Sequence, residues 1–131
     1  MAAVDERFLP VPGNVMPRFA GIPTFMRLPH REPTDLGEVD IGLVGVPFDG
    51  ATSNRPGARH GPRQLRDLST MIRLVNQATR VAPFHLARCA DLGDVLVNPV
   101  SMDDTRERIT AFYRDLVTAG VVPLTAGGDH F

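Results

Sequence analysis

The stretch Asp40-Ile41-Gly42-Leu43-Val44-Gly45-Val46 decides the fold. Its aliphatic residues run without the polar alternation of a half-exposed strand, and Pro47 and Gly50 close it, so it reads as a strand buried on both faces. A loop rich in Gly, Pro, Asn and Arg follows as far as Pro62. Pro62 suits the first turn of a helix, and Gln64, Leu65, Leu68, Met71, Ile72 and Val75 then continue at helical spacing. A second strand is expected around Leu86 to Ala90, ahead of a turn signal in Asp91-Leu92-Gly93-Asp94. The clearest helix starts after Ser101, with Asp103 and Asp104 in its first turn. Its apolar face is Ile109, Phe112, Tyr113 and Leu116, and Gly120 ends it. Val121 to Thr125 reads as a third strand, followed at once by Ala126-Gly127-Gly128-Asp129-His130-Phe131. Strands alternating with helices argue for an α/β layered fold around a central, mainly parallel sheet. Sites in such sheets lie at the carboxyl ends of the strands.

Upstream of Val39 the pattern is different. Residues 1 to 38 hold Pro10, Pro12, Pro17, Pro23, Pro29 and Pro33, each without a backbone donor, so no long helix or central strand is expected. This is an extended arm, and residues 39–131 are the α/β domain. The arm also carries Phe8, Phe19, Ile22, Phe25, Met26 and Leu28, too much apolar surface for a free tail. It is expected to lie on its own domain or on a neighbouring subunit.

Composition narrows the function classes. The formal net charge is -1, so no general electrostatic attraction to nucleic acid or an anionic membrane is expected; that all of the Lys and Arg positions are arginine carries no functional weight. No apolar run approaches the roughly 20 residues needed to span a bilayer. The single cysteine, Cys89, excludes an intrachain disulfide framework and sits in an apolar stretch, where burial is expected. A reducing compartment, and hence a cytoplasmic location, is the expectation. No internal repeat or low-complexity tract is visible.

Two segments fall at carboxyl ends of strands. Gly127-Gly128 permits close backbone approach and puts Asp129 and His130 at the sheet edge, where imidazole suits a divalent transition metal. The other segment, Pro47 to Pro62, combines permissive backbone with Asp49, Asn54, Arg55, Arg59 and His60. It has two readings: one wall of a pocket, or local turn bonding by Asp49 and Asn54 with Arg59 paired to a carboxylate. Its glycines match neither G-x-G-x-x-G nor G-x-x-x-x-G-K-[ST], so nucleotide binding is unsupported.

Gly45 to Arg63, Ala90 to Asp94 and Gly127 to Phe131, taken together and in this order, resemble the ureohydrolase (arginase/agmatinase) family. The arm from Pro17 to Pro29 resembles the agmatinase branch, especially its guanidinopropionase- and guanidinobutyrase-like members, more than the arginases. The resemblance implies the N-terminal half of a three-layer arginase-like fold. It implies a site with two manganese ions (Mn2+), where a bridging hydroxide attacks the guanidinium carbon of a small guanidino compound to give urea and an amine. His130 matches the family's first metal-binding histidine, and Asp129 orients the loop or a partner of the ligands. Asn54, Arg59 and His60, with Arg55, are the candidate substrate-binding residues. Homo-oligomers, trimers or hexamers, are expected of the parent enzyme. The family's Asp-Ala-His-x-Asp and Asp-x-Asp ligand motifs do not occur in these residues. The chain is therefore expected to be part of a longer enzyme and inactive by itself. A second expectation, from a different class, is a truncated, non-catalytic assembly partner of a full-length homologue.

Overall fold

The computed structural model describes residues 4–131. Three parallel strands, β1 (Ile41–Val46), β2 (Cys89–Asp94) and β3 (Val122–Gly127), lie in the order β2-β1-β3. Helix α1 (Gly61–Ser69) links β1 to β2, and α2 (Met102–Thr118) links β2 to β3. The two links run in opposite directions across the sheet. Right-handed crossovers then put their helices on opposite faces, and the apolar clusters show this division. On one face α2 brings Ile109, Phe112 and buried Leu116 against Val44, Ala90 and Leu92. On the other, the arm and the segment after α1 bring Phe25, Leu28 and Ile72 against Leu43 and Cys89. The expected α/β architecture is therefore present, and β1 is its buried centre.

Close packing of α1 on β1 depends on Gly45. A Cβ there would lie 1.8 Å from Asp94 Oδ1 and 2.8 Å from the Pro62 ring. Any side chain at 45 would lift the first turn of α1 off the sheet.

Several boundaries differ from the sequence reading, each for a local reason. Helix α1 stops at Ser69 instead of reaching Val75. Arm arginines take carbonyls just beyond it: Arg27 donates to Thr70 O and Ile72 O, and Arg18 donates to Met71 O at 3.0 Å. The Thr70 hydroxyl bonds back to Asp67 O at 2.8 Å, a side-chain competitor that ends the ladder. Met71 and Val75 are consequently exposed, not part of a continued apolar stripe. Strand β2 begins at Cys89 and runs through Asp91 to Asp94, so those four residues are strand and not turn. Arg88 is held outside it by Asp40, which accepts from the Arg88 amide at 2.7 Å and its guanidinium at 2.6 Å. Gly93, at φ +76, marks where the pairing with β1 becomes irregular.

The helix after Ser101 is as read. The Ser101 hydroxyl accepts from the Asp104 amide at 3.2 Å, and Gly120 at φ +76 follows the helix. Cys89 is buried, as expected.

The arm has two single 3-10 turns, Glu6–Phe8 and Phe25–Arg27. It covers the outer edge of β2: His30 bridges Asp91 in parallel, Arg31 N donates to Asp91 O, and Asp91 N donates to Pro29 O, both at 3.0 Å. Burial of Phe8, Phe25 and Leu28 holds it down, at roughly 1.5–3 kcal/mol per side chain. The far edge of β3 has no strand partner among the described residues, and Val122 and Leu124 are exposed there.

Candidate functional site

Strand order β2-β1-β3 makes the β1/β3 boundary the point where the chain's connections diverge, and crevices for ligands form at the carboxyl end of such a boundary. Both segments singled out in the sequence meet there. Their junction is tight. A Cβ on Gly128 would stand 1.9 Å from Phe48 O, so only glycine lets the turn after β3 lie on the start of the β1 loop. Asp129 then fastens the two. Its amide donates to Phe48 O at 2.8 Å, its Oδ2 accepts from the Ala51 amide at 2.8 Å, and its Oδ1 accepts from Phe131 N at 3.0 Å. The Phe48 and Phe131 rings pack 5.2 Å apart. Asp129 is thus tied into loop bonding, and His130 stands exposed at the rim.

The β1 loop is organised by Asp49. Its buried carboxylate accepts from Gly57 N at 2.7 Å, from Arg59 N at 3.3 Å and from Arg59 Nε at 2.6 Å. Gly57, at φ +125, has a conformation that suits glycine and turns the loop back toward Asp49. The Arg59 guanidinium, then the Gly57 amide, hold the Asp49 pKa down to about 2 against the opposing effect of burial. The Arg59 guanidinium is therefore committed to Asp49, while Asn54, Arg55 and His60 are exposed along the loop.

Stability linked to Asp49 follows from the sign of its shift. A depressed pKa stabilises the fold above the unfolded carboxylate value near 3.8, and this stabilisation is lost as pH falls toward 2. We expect the Asp49 carboxyl carbon to titrate by NMR with a midpoint near 2. In Arg59→Gln the midpoint moves up and the Gly57 amide loses exchange protection; an unmoved midpoint would show that Arg59 is not the cause.

Metal fit is incomplete. His130 is one suitable donor, but no group of three His, Cys, Asp or Glu side chains is placed to hold a metal ion among the described residues. A two-metal centre does not fit on these residues alone, and no catalytic step is assigned to them. Arg63 and Asp91 lie inside the motifs quoted above without having been singled out as site residues, and Asp91's partner Arg66 lies outside them.

The described residues form a parallel α/β sheet with a glycine-locked, histidine-bearing turn at the carboxyl end of its β1/β3 boundary. The arginase family model matches residues 39–131, and the chain belongs to the arginase family. It is 53% identical to guanidinopropionase of Pseudomonas aeruginosa over 121 residues, covering 92% of this chain and 37% of that protein. It is 47% identical to the human mitochondrial guanidino acid hydrolase over 113 residues, covering 86% of this chain and 32% of that protein. The crystallised proclavaminate amidinohydrolase of Streptomyces clavuligerus superposes with a TM-score of 0.81 at 40% identity, over 87% of this chain and 37% of that one. The chain thus spans less than two-fifths of the length of these relatives. No helix of the described residues is long and apolar enough to cross a membrane.

Proposed function

We propose that this chain supplies one wall of the active site of an amidinohydrolase that adds water across a C–N bond of a small guanidino compound, releasing urea and an amine. The observation that carries the reading is the junction of the Asp49-organised loop with the Gly127-Gly128-Asp129-His130 turn at the β1/β3 switch point. Guanidino acids are the substrate class most in keeping with the names of similar proteins, guanidinopropionase, guanidinobutyrase and guanidino acid hydrolase, with agmatine next. Manganese is the proposed metal, and His130 would give it one imidazole while the other ligands come from outside these residues. A cytoplasmic setting agrees with the single, buried, unpaired Cys89. Homo-oligomerisation is supported by the arm residues Phe19 and Ile22, which are 84% and 91% exposed.

The test is a chimera in which residues 1–131 replace the matching segment of the Pseudomonas guanidinopropionase. With manganese it is expected to release urea from guanidinopropionate, and His130→Ala in the same chimera is expected to abolish release. A folded chimera with no urea release overturns the reading.

A further inference from the structure

We infer that the outer edge of β3 is a docking surface for a strand from the part of an arginase-family chain that these residues do not span; this goes beyond the reading of the reaction above. The register fixes which backbone groups the edge presents. Val122 N donates to Asp40 O at 2.9 Å, and Val122 pairs with Ile41 in the parallel ladder, so Val122, Leu124 and Ala126 turn their backbone groups toward β1. Pro123, Thr125 and Gly127 turn theirs outward. Among the described residues nothing accepts from the Thr125 or Gly127 amide. The opposite edge of the sheet is already covered by the arm at Asp91.

Side chains on both faces match this backbone. Parallel sheets are covered on both sides, and β1 is, whereas no residue of β3 is fully buried. Leu124 is 56% exposed and borders a groove of about 270 Å³ with Phe25, Met26 and Leu65. On the α2 face, Tyr113 bonds Thr125 Oγ1 at 2.5 Å, and Phe48, Ile109, Tyr113 and Phe131 line a second groove of about 260 Å³. The edge holds no charged residue to repel a strand, and its one guard is Pro123. That proline decides against a second copy. Two β3 strands paired about a twofold axis at Thr125 would set Pro123 of each copy opposite Gly127 of the other, and both pairs would lack a donor. An unlike strand meets Pro123 once, donates to Pro123 O and Thr125 O, and accepts from Thr125 N and Gly127 N. The source is a relative's remaining length: this chain covers 37% of the Pseudomonas guanidinopropionase, so more than three-fifths of that protein lies outside the match. That is enough chain to supply both the strand and the apolar cover for the two grooves.

The test supplies the rest of the Pseudomonas guanidinopropionase, without the segment this chain matches, as a separate polypeptide made in the same cells. The two are expected to purify as a one-to-one complex, with exchange of the Thr125 and Gly127 amides slowed about tenfold or more relative to the free chain. Leu124→Lys, which puts a charge on the exposed edge, is expected to weaken the complex about tenfold while the free variant unfolds at the parent's denaturant midpoint. Val100→Lys, at an exposed position away from the edge, is expected to leave the complex intact. The amide readout uses the parent chain and does not depend on how either variant folds. Four results each overturn the inference: no complex, a complex whose Thr125 and Gly127 amides exchange as in the free chain, a complex indifferent to Leu124→Lys, or a free chain that already dimerises with those amides protected. No turnover is read, so a failure here leaves the hydrolase reading standing, and an inactive chimera leaves the docking edge standing.

Discussion

Arg66→Ala is expected to destabilise the chain by about 3–5 kcal/mol, the usual cost of leaving one member of a buried ion pair without its partner. Arg66 donates to both oxygens of Asp91, at 2.8 and 2.9 Å, and to Asp94 at 2.7 Å. The Asp91 side chain is 2% exposed and that of Arg66 is 13% exposed, so water cannot replace what is lost. Burial pushes the Asp91 carboxyl up, but Arg66 and the amides of Phe25 and Gly93 outweigh it and hold its pKa below the ordinary value. Burial likewise opposes the Arg66 charge, and the two aspartates overcome it. The guanidinium also lies 4.2 Å from the centre of the Phe25 ring, and Phe25 N donates to Asp91 at 2.9 Å. One knot therefore fastens the arm, α1 and β2 together.

Denaturant unfolding measures the loss, and exchange of the Phe25 amide reports whether the arm leaves with it. Arg66→Lys is expected to recover only part of the stability, because an ammonium cannot make the paired contact or stack on Phe25. The double variant Arg66→Met with Asp91→Leu is expected to cost less than the sum of the single changes, since no charge is left unpaired. Additive losses, or an Arg66→Ala chain as stable as the parent, would show that the knot is only incidental to stability.

How much of this was legible in the sequence depends on what kind of signal each element carries. Strand β1 and helix α2 were readable because their cues are local: an unbroken aliphatic run, and a serine cap followed by an apolar stripe. The parallel sheet followed from the alternation of elements. Helix α1 was read too long because its end is set from a distance, by Arg18 and Arg27, which lie more than 40 residues from the carbonyls they bind. Strand β2 was misplaced for a similar reason. Asp91 and Asp94 look like turn residues until Arg66 is seen to satisfy both from the helix above. At the site, Gly127 to His130 was located correctly at a strand end, but its junction with Phe48 and Ala51 spans nearly the whole domain and has no local trace. The choice left open for Arg59 turned on whether Asp49 would fold back on it. Only the loop's three-dimensional path, with Gly57 at positive φ, could show that it does.

Gly128 is where that junction is most vulnerable. Gly128→Ala is expected to destabilise the chain by about 3 kcal/mol, at the upper end for overpacking, because the obstacle is backbone and cannot rotate away. The new Cβ would meet Phe48 O at 1.9 Å, Phe48 C at 2.8 Å and Phe48 N at 3.0 Å. The limit is space and not backbone angle, so no other L-residue does better. Relief requires the turn after β3 to swing away from the β1 loop, which breaks the bonds from Asp129 N to Phe48 O and from Ala51 N to Asp129 Oδ2. His130 moves with the turn. Asp129→Ala provides the comparison: it removes the carboxylate bonds to Ala51 and Phe131 but leaves the Asp129 amide on Phe48 O, and should cost about 1–2 kcal/mol. Unfolding free energies should therefore rank parent, Asp129→Ala, Gly128→Ala. Exchange protection of the Asp129 amide should survive the aspartate change and vanish with the glycine change. If Gly128→Ala kept that amide protected, the contact with Phe48 would be soft, and the position of His130 would have to be set by something other than the β1 loop.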